Sequence, residues 1–337
     1  KQIANGTYEP HAPSRFTVAK SNGFSRRMTM PAIPDVVLYR AIGAYLQNRL
    51  KAREHEHVYF ERRDLAKATE QAKEEADAGD RSTKGPFRAL YESWMDYESH
   101  SKRRKRAWLH YSQYRKLLIF KRVFPYIVTT DITNFFDTVL HDKLAECFHS
   151  IAAPPRMIGL LFFLLERLSI REAFSDSPRV GLPVDEFDCS RQLAHLFLYA
   201  HDDRVVSQVG EDAYVRWMDD QIVGVQSRAD GLNALARVGE SLAQLHLTAN
   251  AGKSRILSLS EARRHFHLDI NSELDKIEVM VRGKRPTRDI AKQVRAVWKT
   301  AKTHEHKGEW DKILKRVYRY AALGQVRLFR RHAVRDL

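Results

Sequence analysis

Tyr214-Val215-Arg216-Trp217-Met218-Asp219-Asp220-Gln221-Ile222-Val223-Gly224 decides how this chain reads. Two adjacent carboxylates lie between two apolar, β-prone runs, the pattern of a β-hairpin with Asp219 and Asp220 at its tip. A plain two-residue hairpin turn favours Asn-Gly or Asp-Gly. Neighbouring acids repel, and a divalent cation would offset that repulsion. A solvated acidic turn is the alternative, and the pair alone does not decide between them.

A further acid upstream shifts the balance. Tyr126-Ile127-Val128-Thr129-Thr130 is a β-branched run that delivers Asp131 at its end, followed by Ile132-Thr133-Asn134-Phe135-Phe136-Asp137. A buried strand ending in one acid and a hairpin tipped with two can converge three carboxylates on one point. Polymerases place two magnesium ions, roughly 3.5–4 Å apart, on such a cluster.

Asp131-Ile-Thr-Asn-Phe-Phe-Asp137 and Trp217-Met-Asp-Asp220 resemble motifs A and C of reverse transcriptases. Between them, Gly181-Leu-Pro-Val-Asp-Glu-Phe-Asp-Cys-Ser190-Arg-Gln-Leu-Ala194 is similar to motif B, a Leu-Pro turn leading into a Ser-started helix. Leu247-Thr-Ala-Asn-Ala-Gly-Lys253-Ser254 resembles motif D. Lys20-Ser-Asn-Gly23-Phe-Ser-Arg26-Arg27-Met-Thr-Met-Pro31 resembles the fingers motif of group II intron and retron enzymes. The five stretches occur in the family's order and cover roughly residues 8–260.

The resemblance implies an α+β right-hand polymerase: fingers with a charged helical insertion over 1–125, a palm over 126–260, and a basic helical thumb over 261–337. The palm would be an antiparallel sheet with helices on one face. Asp131, Asp219 and Asp220 would be catalytic metal ligands. Ile132 would add its backbone carbonyl, and the cofactor would be two Mg2+ ions, with Mn2+ as a substitute. Lys253 would act as an acid towards pyrophosphate or bind phosphate. Lys20, Arg26, Arg27, Phe136 and Ser190 would face the nucleotide, Phe136 as a steric gate against a 2′-hydroxyl. Arg216 and Trp217 would shape the grip on the primer, and Asp137 would cap a helix.

Two departures qualify the match. Trp217 stands where the family usually has tyrosine, and Val184-Asp185 stands where motif B usually has glycine or Gln-Gly after Leu-Pro. Such Leu-Pro-Val-Asp…Ser-Arg versions resemble bacterial defence-associated and abortive-infection reverse transcriptases. That resemblance implies a cytoplasmic bacterial enzyme in antiphage defence. Its partners would be deoxynucleoside triphosphates, an RNA template such as a dedicated non-coding RNA, and a DNA product. A second copy or a partner protein is also open. Three alternatives stay open: a template-independent or protein-primed DNA synthase, a retron- or intron-type enzyme, and an inactive RNA-binding scaffold.

The chain has 337 residues, 43% hydrophobic, with a formal charge of +15. Such a basic excess points to a polyanionic partner, most simply nucleic acid. Lys102-Arg103-Arg104-Lys105-Arg106, followed by Trp108, Tyr111 and Tyr114, suits a strand of nucleic acid: charges for phosphates, rings for stacking. A solvated helix face with aromatic core residues is the other reading of that segment. Cys147 and Cys189 give no disulfide framework and no zinc spacing. The His-x-His pairs at 55/57, 265/267 and 304/306 lack further ligands in register. The longest apolar run, 157–165, is too short to span a bilayer, so no membrane partner is expected.

Periodicity supplies the rest. Short strands are expected around Asn22-Gly23, and helices over 140–151, 158–168, 190–202, 231–245, 288–303 and 309–332. His265-Phe-His-Leu-Asp-Ile and Ile277-Glu-Val-Met-Val read as strands.

Overall fold

The computed structural model describes residues 2–19, 25–50, 55, 57–59, 123–151, 153–169, 179–183, 188–283, 285–301 and 310–326. The chain divides into two compact units, residues 1–118 with 128–256 and residues 119–127 with 257–337.

The first unit opens with a four-residue helix, α1 (Gln2–Asn5), and an antiparallel pair, β1 (Ser14–Ala19) and β2 (Ser25–Met30). Val18 faces Arg26 and Thr17 faces Arg27 across the pair. Helix α2 (Ile33–Leu50) follows, with Asp35 in its first turn. A carboxylate there suits the helix dipole, and this one also accepts from the Tyr8 hydroxyl and the His11 amide.

A five-stranded sheet forms the centre: β3 (Val58–Tyr59), β4 (Tyr126–Thr130), β5 (Tyr214–Trp217), β6 (Asp220–Val225) and β7 (Arg255–Ser258), in the order β3-β5-β6-β4-β7. β5 and β6 pair antiparallel, but β3 runs parallel to β5. The antiparallel pairing expected from the sequence is present at β5–β6, and the edge strand β3 is an addition the sequence did not announce. A two-residue strand carries too little periodicity to declare itself in advance.

Short helices α3 (Phe135–Thr138) and α4 (His141–Cys147) leave β4, and α5 (Pro155–Leu168) follows with Pro155 at its first turn. The helix expected over 190–202 is in fact two, α6 (Asp188–Phe197) and α7 (Tyr199–Val209). The two meet at Leu198, whose amide donates to the His195 carbonyl at 3.2 Å in a tighter i→i−3 turn. α8 (Arg228–Ala243) is capped by Ser227, which accepts from the Asp230 amide. α7 and α8 pack on each other and both lie against β6. α2 packs on α6 at Gly43, where a Cβ would stand 2.9 Å from Cys189 Cβ.

In the second unit α9 (Leu259–His265) starts from a capping box of Ser258 and Glu261. Then come α10 (Leu268–Arg282), α11 (Thr287–Ala301) and α12 (Trp310–Leu323), which pack pairwise around an apolar core. The two strands expected over 265–270 and 277–281 are corrected here: both fall in the helical region, α9 and α10. Local alternation in Ile277-Glu-Val-Met-Val suggested a strand, but Ile270, Leu274, Ile277 and Val281 recur at helical spacing and face the bundle core. Among the described residues no helix is long and apolar enough to cross a membrane.

Candidate active site

β4 buries Ile127, Val128 and Thr130, and this anchors the residue that follows, Asp131, at only 4% exposure. Beyond it the chain is spliced to the segment around residue 249. The Thr133 amide donates to the Thr248 carbonyl at 2.9 Å, and the Asn250 amide donates to the Asp131 carbonyl at 2.7 Å. Between these bonds Ile132 and Ala249 face each other as an antiparallel, non-hydrogen-bonded pair. The Ile132 carbonyl is thus not used in this splice.

The splice brings a tight turn to Asp131. The amides of Lys253 and Ser254 both donate to the Asn250 carbonyl, at 3.0 and 2.9 Å. The Lys253 ammonium donates to Asp131 Oδ2, and Asn250 Nδ2 lies 3.5 Å from the same oxygen. Asp131 Oδ1 is buried and meets no amine, amide or hydroxyl donor among the described residues, while the Asp219 carboxyl, when protonated, hydrogen-bonds to the Asp131 side chain. Without that proton, a buried carboxylate oxygen with no donor is costly, and a cation would satisfy it.

The hairpin supplies the other two acids. Trp217 pairs with Asp220, so the two-residue loop is Met218-Asp219, and Asp220 opens β6. Met218 has a φ of +54°. Asp219 and Asp220 are both partly exposed. Desolvation, then the charges of Asp220 and Asp131, push the Asp219 carboxyl up to about 8. Asp219 thus feels the charge of both other carboxylates. Partial burial works against the Lys253 ammonium, but the bond to Asp131 and the charges of all three acids outweigh it and raise its pKa. Among the described residues no three His, Cys, Asp or Glu side chains already form a metal-ligand set. The donor chemistry nonetheless fits a divalent ion: a buried carboxylate oxygen, a crowded acid pair and a backbone carbonyl that the splice leaves unused.

The Gly181-Leu182-Pro183 turn is fastened onto the same region. The Leu182 amide donates to the Phe136 carbonyl at 2.7 Å, and the Gly181 amide to that of Val139 at 2.8 Å. Gly181 has a φ of +88°, and a Cβ there would lie 3.4 Å from the Asp137 carbonyl. Its own carbonyl meets His141 Nε2 at 2.7 Å and accepts from Ser169 Oγ at 2.6 Å. Phe135 is buried in the core, whereas Phe136 is half-buried at the start of α3. Asp137 lies inside α3 rather than capping it; Asn134 holds the cap position, in left-handed backbone.

Other predicted site residues fall elsewhere. Ser190 is buried, its hydroxyl donating to the Pro183 carbonyl at 2.7 Å and meeting the Tyr39 hydroxyl at 2.9 Å. It ties the Leu-Pro turn to α6 and α2. Arg26 and Arg27 are exposed on opposite faces of β2. Trp217 is partly exposed at the end of β5. Arg216 is a correction: it is fully buried and cannot reach a primer. Lys20, residues 102–106, residues 184–187 and the His304/His306 pair lie outside the described residues. His267 is buried 5.4 Å from the Trp310 ring, and His55 bonds Glu211 and Asp203 at 2.9 and 2.8 Å.

A family model described as reverse transcriptase (RNA-dependent DNA polymerase) matches residues 93–295, more than half of the chain. The chain belongs to the reverse transcriptase family. Reverse transcriptase domains use divalent metal ions, in keeping with the donor chemistry around Asp131. Comparison with curated proteins finds no match. Among solved structures, apo telomerase from Candida tropicalis, truncated from its C-terminal domain, is similar over 76% of this reverse transcriptase chain, at 11% identity and a TM-score of 0.43. The chain spans 53% of that telomerase chain.

Proposed function

We propose that this protein is an RNA-directed DNA polymerase whose catalytic centre is Asp131, Asp219 and Asp220. The observation that supports it is the electrostatic tie between these acids: one buried Asp131 oxygen meets no amine, amide or hydroxyl donor among the described residues, and the charges of Asp220 and Asp131 help to raise the Asp219 carboxyl to about 8. The three carboxylates and the Ile132 carbonyl would hold two Mg2+ ions. When bound, such ions acidify the attacking 3′-hydroxyl and neutralise the departing pyrophosphate.

The chain's own side chains supply the rest. Lys253 holds a positive charge against Asp131 and, released from it, is placed to meet the leaving phosphate. Phe136, half-buried on the backbone that carries the Leu-Pro turn, is the ring that would pack under the sugar and exclude a 2′-hydroxyl. Arg26, Arg27 and Lys20 supply charge for the triphosphate. Trp217 and residues 102–106 contact nucleic acid. Ser190 acts indirectly, by fixing the turn beneath the nucleotide. In this reading the first unit provides fingers and palm, and the helical second unit the thumb.

The biological setting we propose is a bacterial cytoplasm and antiphage defence with a non-coding RNA template; the Leu-Pro-Val-Asp…Ser-Arg form of motif B supports it. The deciding experiment supplies purified protein and its co-purifying nucleic acid with Mg2+ and deoxynucleotides or ribonucleotides, then sequences the product. DNA complementary to a bound RNA is expected. DNA matching no RNA present would replace the templated reading with untemplated or protein-primed synthesis. No incorporation with either substrate set would leave a binding scaffold.

A further inference from the structure

The catalytic hairpin stands on a charge buried where a strand residue is ordinarily apolar. Arg216 lies in β5 between Val215 and Trp217 and is fully buried. Its Nε donates to Asp202 Oδ1 at 2.7 Å, and its Nη2 to Asp202 Oδ2 at 2.5 Å, a two-pronged pair with α7. The remaining nitrogen, Nη1, donates to the Met218 carbonyl at 2.8 Å. Tyr214 adds a hydroxyl to Asp202 Oδ1 at 2.9 Å.

The location of that carbonyl matters. Met218 is the first residue of the hairpin loop, immediately before Asp219, and its φ is +54°. Left-handed backbone is unfavourable for residues other than glycine, and hairpin loops normally use Asn, Asp or Gly there. A buried ion pair is moreover a poor source of stability, because desolvation consumes most of the Coulomb gain. The neighbouring residue of α7 grips the other strand. His201 Nε2 meets Gln221 Oε1 in β6 at 2.8 Å, and His201 Nδ1 meets Ser241 Oγ in α8 at 2.9 Å. Consecutive residues of one helix thus hold both sides of the loop.

We propose that Arg216, oriented by Asp202, is a positioning residue for nucleotidyl transfer: it pins the Met218 peptide so that the loop presents Asp219 to Asp131. This rests on the reading of the three carboxylates as the catalytic centre. Arg216 touches neither substrate nor metal ligand; its effect passes through one backbone carbonyl.

Two variants and a control test it. Asp202→Leu/Arg216→Met removes the pair without leaving an unmatched charge. Arg216→Lys keeps a charge beside Asp202, but one ammonium replaces the fork that spans Asp202 and the Met218 carbonyl. Asp131→Asn tests the catalytic reading itself. Thermal melting, kcat and KM for deoxynucleotide, and Mn2+ affinity by calorimetry are measured on each full-length protein.

Arg216→Lys and the double variant are expected to stay folded and lose about 10²-fold in kcat, as for a misplacement near 1 Å. Their KM should stay within about twofold, and Mn2+ affinity should fall about 10- to 100-fold. Parental kcat and Mn2+ affinity in folded Arg216→Lys, with Asp131→Asn inactive, would overturn the positioning role and leave the catalytic reading standing. A kcat loss that disappears on correction for folded fraction would overturn it equally. Full activity in Asp131→Asn would sink the catalytic reading, and this proposal with it. If the double variant does not fold, Arg216→Lys alone decides.

Discussion

In the first unit Arg216 is sealed from solvent, its charge matched by Asp202 and a further donor spent on a loop carbonyl. In the second unit Arg316 keeps 28% of its side chain exposed and spreads its donors over Asn271 and Asp275, 2.7 Å each, with Glu278 3.7 Å away. The second unit is built like an ordinary helical bundle: Ile270, Leu274, Ile277, Val294 and Val317 make an apolar core, and the Arg316 charge stays at its rim. The first unit places polar groups where a bundle would place leucine. Burial opposes the Arg216 charge, and Asp202 more than restores it. Beneath a loop that carries carboxylates, fixed direction is worth more than cheap burial.

The sharpest way to break this contrast is at the acids themselves. Asp219→Ala/Asp220→Ala should lower nucleotide incorporation by about 10³-fold or more, equivalent to roughly 4 kcal/mol of barrier, while circular dichroism remains unchanged. Parental polymerisation by that variant would end the assignment. Next in size is Asp202→Ala, which strands the Arg216 charge in the core. It should cost about 3–5 kcal/mol in denaturant unfolding. A loss below about 1 kcal/mol would mean that the pair is no more buried in solution than a surface bridge.

Proton linkage gives a third test. Folded Asp219 keeps its proton up to about pH 8, whereas an unfolded aspartate releases it near 4. Between those values the folded state binds more protons, so the stability of the metal-free protein should fall as pH rises and level off above about 8. Metal must displace that proton. Mn2+ affinity should therefore gain about tenfold per unit from pH 6 to pH 8, and Asp219→Asn should flatten the slope. A pH-independent affinity in the parent would contradict the coupling of the three acids.

Smaller effects follow at packing contacts. Gly43→Ala forces a Cβ against Cys189 and should cost about 1–3 kcal/mol. Asp275→Ala, at the exposed rim of the bundle, should cost at most about 1 kcal/mol. The gap between Asp202→Ala and Asp275→Ala is the contrast itself in measurable form.

The acid-tipped hairpin, β4 and the amphipathic helices were legible because each rests on a local pattern: β-branched runs, paired acids, and apolar residues at helical spacing. Three features were not. α10 was masked by the short alternation at 277–281, which a longer window through Ile270 and Leu274 would have exposed. β3 has two residues and is defined only by its parallel partner. The inward turn of Arg216 contradicts its type, since an arginine in a short strand reads as a surface residue. Its partner lies 14 residues away on a helix, and no spacing rule links them. Asp202, which sequence reasoning gave no role, is thereby the residue most easily missed. Its only signal was an acid beside His201 in a helix that the pattern otherwise sends into the core.

The splice that joins Asp131 to Asn250, and Thr133 to Thr248, is written entirely in main-chain hydrogen bonds. No side-chain replacement short of proline deletes such a bond. The register of the lysine turn with the first acid is therefore independent of the side chains at 132 and 249, although burial keeps residue 132 apolar. Over evolutionary time the connections between the motifs in this stretch can lengthen, shorten or acquire new helices without separating the two ends that the splice joins. A lineage built this way would diverge fastest between its motifs and still keep its chemistry aligned.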